Sequence, residues 1–213
     1  MVFATKSTSA THTYTYAGGE INLFSDDETG LTVTIDTERL HLQSVQATAT
    51  EYDRYAALFG DTEVMNKFYT GETRSRDQVE DSIKNIWARR WRERDPYSGM
   101  AISEQEVDRF VGHIGLDHTG EAGVAELSYL LHRAAWGQRY GTEAATVVVK
   151  EYAPLTAREG YTLDGEPLAR IKATARLDNP ASCRILEGVG MHLVETKEAH
   201  GALRHHYTMD VGH

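Results

Sequence analysis

The chain has 213 residues, 40% of them hydrophobic and 25% charged, and a formal net charge of −10, which gives one soluble globular domain, or one domain with an appendage. The acidity argues against nucleic acid as a main partner and only slightly favours cationic amines, no apolar run approaches the ~20 residues of a membrane span, and the start lacks the basic-then-apolar order of a signal peptide. The single cysteine, Cys183, excludes an internal disulfide and fits a reducing cytoplasm.

Residues 1–10 are small and polar and are expected to be disordered. Thr11–Tyr16 and Ile21–Phe24 flank an Ala-Gly-Gly turn and predict a hairpin. The acidic stretch Ser25–Gly30 lacks the ligand spacing of a calcium loop and reads as a solvated connection. Leu31–Ile35 and Thr37–Leu42 are further strand candidates. Thr50–Phe59 repeats its apolar residues at helical spacing. Ser75 and Gln78 form a capping box in front of a second helix with Val79, Ile83, Ile86, Trp87 and Trp91 on one face. The two tryptophans read as core packing, the basic run Arg89–Arg94 as a solvated helix end, and Pro96 as its stop.

A meander follows, with strands at Tyr97–Ile102, Arg109–Leu116 and Val124–Leu131. In the third, Val124, Glu126, Ser128 and Leu130 face one side, and Ala125, Leu127, Tyr129 and Leu131 the other. The Gly137–Gly141 turn leads into a long helix from about Thr142. A strand that feeds a glycine-bearing turn and a helix N-terminus presents unpaired N–H groups of partial positive charge, a place for phosphate. It is also an ordinary connection, and the turn alone leaves both readings open. Pro154–Pro167 reads as an interruption that serves an acceptor site, a dimer or only the surface. A strand at Ala169–Leu177, a helix capped by Asn179 with Pro180 at its first position and ended by Gly188 and Gly190, and a final hairpin (His192–Thr196, Leu203–Val211) complete the chain.

Three strings carry a family resemblance. Trp136-Gly137-Gln138-Arg139-Tyr140-Gly141-Thr142-Glu143-Ala144 resembles the acetyl-CoA pyrophosphate loop of the GNAT N-acetyltransferases, in their RimJ/RimL-type branch. Trp136 takes the first position and Gly141 the last, while Arg139 stands where the family's first glycine is expected. Arg139 must then reach the loop conformation without glycine's freedom, and its cation either adds a phosphate contact or points away. Thr37-Glu38-Arg39-Leu40 is similar to the start of the family's first core strand, and Asn179-Pro180-Ala181-Ser182 with Leu186-Glu187 to its Asn-x-x-Ser helix. The resemblance implies an α/β fold (an α+β mixed sheet), the GNAT acyl-CoA N-acyltransferase fold, with a mostly antiparallel central sheet flanked by helices. Residues 1–36 would form a β-rich N-terminal extension and 37–213 the acetyltransferase domain.

The resemblance also implies acetyl-CoA as co-substrate and a primary amine, on a protein N-terminus or a small molecule, as acceptor. Such an amine is mostly protonated at pH 7, so a base must free it, donors must steady charge on the carbonyl, and an acid must meet the leaving thiolate. By resemblance Glu126 is the candidate base, acting through water if distant; an arginine-paired or exposed strand carboxylate is the alternative. Ser182 is the candidate acid, Ser182 or Tyr129 would help hold the water through which Glu126 acts, and the N–H groups of Ser128, Tyr129 and Leu130 are the oxyanion donors. Gly137, Gln138, Arg139, Tyr140, Gly141 and Thr142 would hold the pyrophosphate, and Asn179 and Ser182 the pantetheine arm. Cys183 lies about 100° round the helix from Ser182 and reads as buried packing. Of the ten histidines, His205 and His206 point to opposite faces, and no metal is expected. A homodimer is left open. The competing readings are a non-catalytic acyl-CoA sensor on the same fold and an unrelated phosphate-binding enzyme; the second lacks both a Walker lysine motif and a GxGxxG fingerprint.

Overall fold

The computed structural model describes residues 10–212. The disorder expected for residues 1–10 concerns positions that, apart from Ala10, lie outside the described residues; Ala10 opens the first strand. β1 (Ala10–Tyr16), β2 (Gly19–Asp26), β3 (Gly30–Asp36) and β4 (Leu40–Ser44) form an antiparallel meander, so the predicted hairpin is present. Ile21, Leu23, Leu31, Val33 and Ile35 alternate into the main core, and residues 10–36 thus continue the central sheet without a break.

α1 (Ala49–Phe59) starts where Thr48 accepts from the Glu51 N–H, and α2 (Thr62–Met65) where Asp61 accepts from Glu63 and Val64. α3 (Arg76–Ser82) opens on the predicted Ser75/Gln78 capping box, then widens to a π-helical turn over Ile83–Trp87 before α4 (Ala88–Arg92). The wider turn holds Val79, Ile83, Trp87 and Trp91, four residues apart, on the buried face and leaves Ile86 41% exposed, off the stripe expected for it. Trp91 donates from Nε1 to the Gly99 carbonyl at 2.9 Å, while Trp87 joins Tyr55, Phe59 and Leu130 in a second core on the α1 side of the sheet. The helix ends before Pro96: it stops at Arg92, and Arg94 turns the chain with φ 61°.

β5 (Gly99–Glu104), β6 (Arg109–His118) and β7 (Val124–Leu131) follow as the predicted meander. The β5–β6 ladder slips beside Ile102, and a Cβ on Gly112 would lie 2.2 Å from the Leu130 carbonyl oxygen, so this bulge requires glycine. α5 (Tyr140–Val147) runs through a π-helical turn, Val148–Tyr152, into α6 (Ala153–Arg158). Pro154 therefore lies inside the helix and does not interrupt it: the turn widens just ahead of it, where a proline ring clashes and an N–H is missing. Nor is the rest of that stretch a plain loop. β8 (Thr162–Leu163) and β9 (Glu166–Pro167) make a small ribbon around Asp164 and Gly165, whose φ values of 50° and 94° suit a tight hairpin. Leu163 is buried, and its carbonyl accepts from the Gly123 N–H.

β10 (Arg170–Arg176), α7 (Pro180–Gly188), β11 (His192–Ala199) and β12 (Ala202–Asp210) close the fold. The sheet order is β1-β2-β3-β4-β5-β6-β7-β10-β12-β11. Every described neighbour in this sheet is antiparallel except β7 and β10. That parallel pair is short. Val124, Ala125 and Glu126 meet Arg170, Ile171 and Lys172, after which the strands part.

Candidate active site

A cleft of about 920 Å³ opens where β7 and β10 part. On one edge Leu127–Leu131 pairs with β6; on the other it has no strand, so alternate backbone N–H and C=O groups face the opening. The alternation predicted for β7 holds. Leu127 packs with the main core, joined by Tyr129 and Leu131, and Leu130 with the second core beneath α1 and α3.

The turn into α5 is held from both sides. Gly137 and Arg139 have φ values of 75° and 64°, so the departure from the family's glycine falls on a left-handed residue. Gly141 serves packing instead: it is buried, and a Cβ there would lie 3.0 Å from Ile185 Cδ1 of α7 and 3.4 Å from Leu131 Cδ1. Glu143 in the first turn of α5 accepts from the Thr37 hydroxyl at 2.5 Å and from Arg39 Nε at 2.8 Å. Arg39 Nη1 also donates to the Gln138 carbonyl at 3.0 Å, and its guanidinium lies over the Tyr140 ring. Two strings far apart in the chain thereby brace one loop. The Trp136 ring donates back to the Leu131 carbonyl at 2.9 Å.

At the start of α7, Asn179 Oδ1 accepts from the Ser182 N–H, leaving its NH₂ group for other partners. The Ser182 hydroxyl and the Tyr129 phenol lie 2.8 Å apart, and Tyr129 also donates to the Ser182 carbonyl at 3.2 Å. Burial pushes the Tyr129 phenol up, so it remains a neutral donor at physiological pH. Cys183 is half-buried and packs against the core, 3.9 Å from the Arg176 carbonyl.

Glu126 stands at the other end of the cleft. Its carboxylate has no hydrogen-bond partner among the described residues. Burial raises its pKa, and Asp117, directly opposite on β6, raises it further; Arg204 and Lys172 act against both. Asp117 itself accepts from the Ser128 hydroxyl and from Arg90 Nη1, each at 3.1 Å.

The structure brings Glu126, Ser128, Tyr129, Leu130, Gly137, Arg139, Tyr140, Gly141, Thr142, Asn179 and Ser182 onto one wall. Gln138 is off it, with its carbonyl held by Arg39 and its residue exposed. Residues 155–168 do not line the cleft either, because the ribbon they form packs beneath the Gly123 turn. Sequence reasoning missed Lys67, Phe68 and Tyr69, which close the cleft from the segment after α2, and Arg204 of β12. None lies in a motif or a periodic stripe. The charged residues of the wall are four cations, Lys67, Arg139, Arg184 and Arg204, against Glu63 and Glu126. In a chain of net charge −10 this is a local reversal suited to a polyanion. Lys67 pairs with Asp178 and Glu63 with Arg133, whereas Arg139 and Arg184 make no ion pair among the described residues. No group of three or more His, Cys, Asp or Glu among the described residues is arranged to hold a metal, and no described helix is long and apolar enough to cross a membrane.

The model of the acetyltransferase (GNAT) domain matches residues 39–192. Among solved structures, a GNAT-family acetyltransferase from Bacillus anthracis is 17% identical, over 83% of this chain and 98% of that one, with a TM-score of 0.65. The RimL ribosomal L7/L12 alpha-N-protein acetyltransferase in complex with coenzyme A is 14% identical, over 82% and 96%, with a TM-score of 0.65. The ribosomal-protein-S5-alanine acetyltransferase of Vibrio fischeri is 10% identical, over 84% and 96%, again with a TM-score of 0.65. Such identities establish a shared fold, and the domain match extends over most of the chain. This chain belongs to the GNAT family of acetyltransferases, enzymes that draw their acetyl group from acetyl-CoA.

Proposed function

We propose that the chain acetylates a primary amine by direct attack on acetyl-CoA bound in the cleft, with Glu126 as general base and Ser182 as the acid. The observation that carries this is the parting of β7 and β10, because it opens one strand edge between a half-buried carboxylate with no hydrogen-bond partner among the described residues and a serine–tyrosine pair. The wall fits the co-substrate. Arg139, Arg184 and the first N–H groups of α5 suit its phosphates, and the open edge of Leu127–Leu131 together with the free NH₂ of Asn179 suits the amides of its arm. Acetyl-CoA supplies the activated acetyl group and the thiolate leaving group.

Glu126 takes the amine proton, directly or across one water. A lysine amine with pKa ~10.4 or an α-amine with pKa ~7.7–8 holds its proton against an ordinary carboxylate. The raised pKa of Glu126 narrows that gap. N–H groups between Ser128 and Leu130 face the negative charge that develops on the carbonyl oxygen. Ser182 gives a proton to the thiolate and regains one from solvent, while the neutral Tyr129 phenol, 2.8 Å away, holds the serine hydroxyl in position. In this reading residues 1–36 are an N-terminal extension and 37–213 the transferase domain. The ribosomal-protein acetyltransferases of similar fold make a protein N-terminus one acceptor class to screen.

Calorimetric titration with acetyl-CoA, and with ATP as control, tests the cofactor reading; saturable binding of the first and silence of the second are expected. In an amine screen, Glu126→Gln should lower kcat/KM by about 10²–10⁴ with acetyl-CoA affinity unchanged, and Ser182→Ala should cost less because water can replace a hydroxyl. Full activity of Glu126→Gln would remove the base from the proposal, and a folded protein that ignores acetyl-CoA would remove the whole of it.

A further inference from the structure

The amine end of the cleft holds a buried cation that forms no ion pair among the described residues. Arg204 is 4% exposed and lines the wall with Glu126, Tyr69 and Thr174. Its Nη1 donates to the Thr174 hydroxyl at 3.1 Å and its Nη2 to the Tyr69 carbonyl at 2.8 Å. Both acceptors are neutral. Of the five N–H donors of a guanidinium, these bonds occupy two. No carboxylate forms an ion pair with Arg204 among the described residues. Glu126 and Asp178 attract it without making an ion pair, and Asp178 is already held by Lys67 and Arg176.

A second observation falls on the same strand. Among the described residues, the buried side-chain polar atoms left without any partner are Arg204 Nε and His206 Nε2. Two residues apart in β12, they share one sheet face, and their registers with Arg176 and Thr174 put them on the face of Lys172. Lys172 is in turn the β10 partner of Glu126. A buried guanidinium and an orphaned ring nitrogen are costly unless something completes them.

The two ends of this face carry opposite charge. Glu126, backed by Asp117, attracts an ammonium group, and Arg204 attracts an anion. We propose that the acceptor is a zwitterion, an amine bearing a carboxylate, of the class of amino acids and short peptides, whose amine lies at Glu126 and whose carboxylate lies on Arg204. A carboxylate matches the planar fork of one guanidinium. A dianionic phosphate fits less well, because Glu126 opposes the extra charge. This inference rests on the acetyl-transfer reading of the cleft but is tested by binding alone.

The protein, saturated with coenzyme A, is titrated by calorimetry with leucine, glutamate and alanyl-alanine, each beside its C-terminal amide. At least one free acid should bind ten-fold or more tighter than its own amide. In Arg204→Met, which keeps the aliphatic stem, that preference should fall below two-fold while coenzyme A binds as before. Arg204→Lys, which keeps the charge and loses the fork, should lie between, and it decides the matter if the Met variant loses coenzyme A binding. The site is overturned if no free acid is preferred over its amide, or if the preference survives in the variants. Acetylation of the amides without such a preference would refute the zwitterion and leave the proposed reaction standing. Arg204-dependent binding of free acids with no acetylated product would do the reverse.

Discussion

Arg139→Gly separates the structural cost of the loop from its electrostatic use. Arg139 has φ 64° and ψ 12°, a conformation that costs an L residue about 1–2 kcal/mol. Glycine removes that cost but loses about 0.5–1 kcal/mol more entropy on folding. The strain is the larger of the two, so the variant should be more stable by about 0.5–1 kcal/mol, a rise of about 1–4 °C in Tm at this chain length. It also removes an exposed cation that has no ion-pair partner among the described residues. An exposed charge on a phosphate contributes about 1 kcal/mol at most, so acetyl-CoA affinity should weaken up to about five-fold. Arg139→Gln is the control, losing the charge and keeping the strain. It should weaken binding equally without gaining stability. Urea unfolding and calorimetry on the three proteins read both quantities. If the glycine variant is less stable than the parent, the strain argument is wrong; if Arg139→Gln binds acetyl-CoA as the parent does, the cation points away from the phosphates.

Asp117→Asn removes the like charge facing Glu126 while keeping an acceptor for Ser128, so the pKa of Glu126 should fall and the acid limb of the kcat/KM profile should move to lower pH; an unmoved limb would show that Glu126 is not the titrating base. His113 is 1% exposed, bonded to the Tyr55 hydroxyl at 2.9 Å, and held by burial down to about 3. The folded chain there refuses a proton that the unfolded chain takes at ~6.5, so this stabilisation is complete above that pH and is lost as the pH falls toward 3. Between pH 7.5 and 5.0 it should cost about 2 kcal/mol in the parent and vanish from His113→Asn, and equal losses in both proteins by urea unfolding would refute the assignment.

Much of this site was legible because its elements are local. The alternation of Val124–Leu131 and the caps at Ser75 and Asn179 are short-range patterns, and each matched the structure. Other features had no local signal. Glu143 and Arg39 are 104 residues apart, and a single charge pair has no periodicity to reveal it. Arg204 reads as one polar residue of an alternating strand, and only the register of β12 on β10 brings it to the cleft. Pro154 misled in the opposite way, because a local rule was overridden by a widened helical turn before it. In the turn before α5 the residue types were noticed, but their tasks were distributed differently: the arginine takes the left-handed conformation and the last glycine makes room for α7.

The short parallel ladder also has a dynamic consequence. Three residue pairs join β7 to β10, with the Gly141–Ile185 approach, Tyr129–Ser182, Lys67–Asp178 and Arg204–Tyr69 as lateral ties. The sheet is therefore two antiparallel blocks sharing a narrow seam, and opening along that seam breaks few backbone bonds. Amide protons on the cleft edge of β7 should exchange with solvent far faster than those of the same strand that face β6. A ligand touching both blocks spans the seam, and at a hundred times its Kd would slow opening by the equivalent of about 2.7 kcal/mol, so that occupancy of the cleft is written into exchange protection on β10 and β12 as well as on β7.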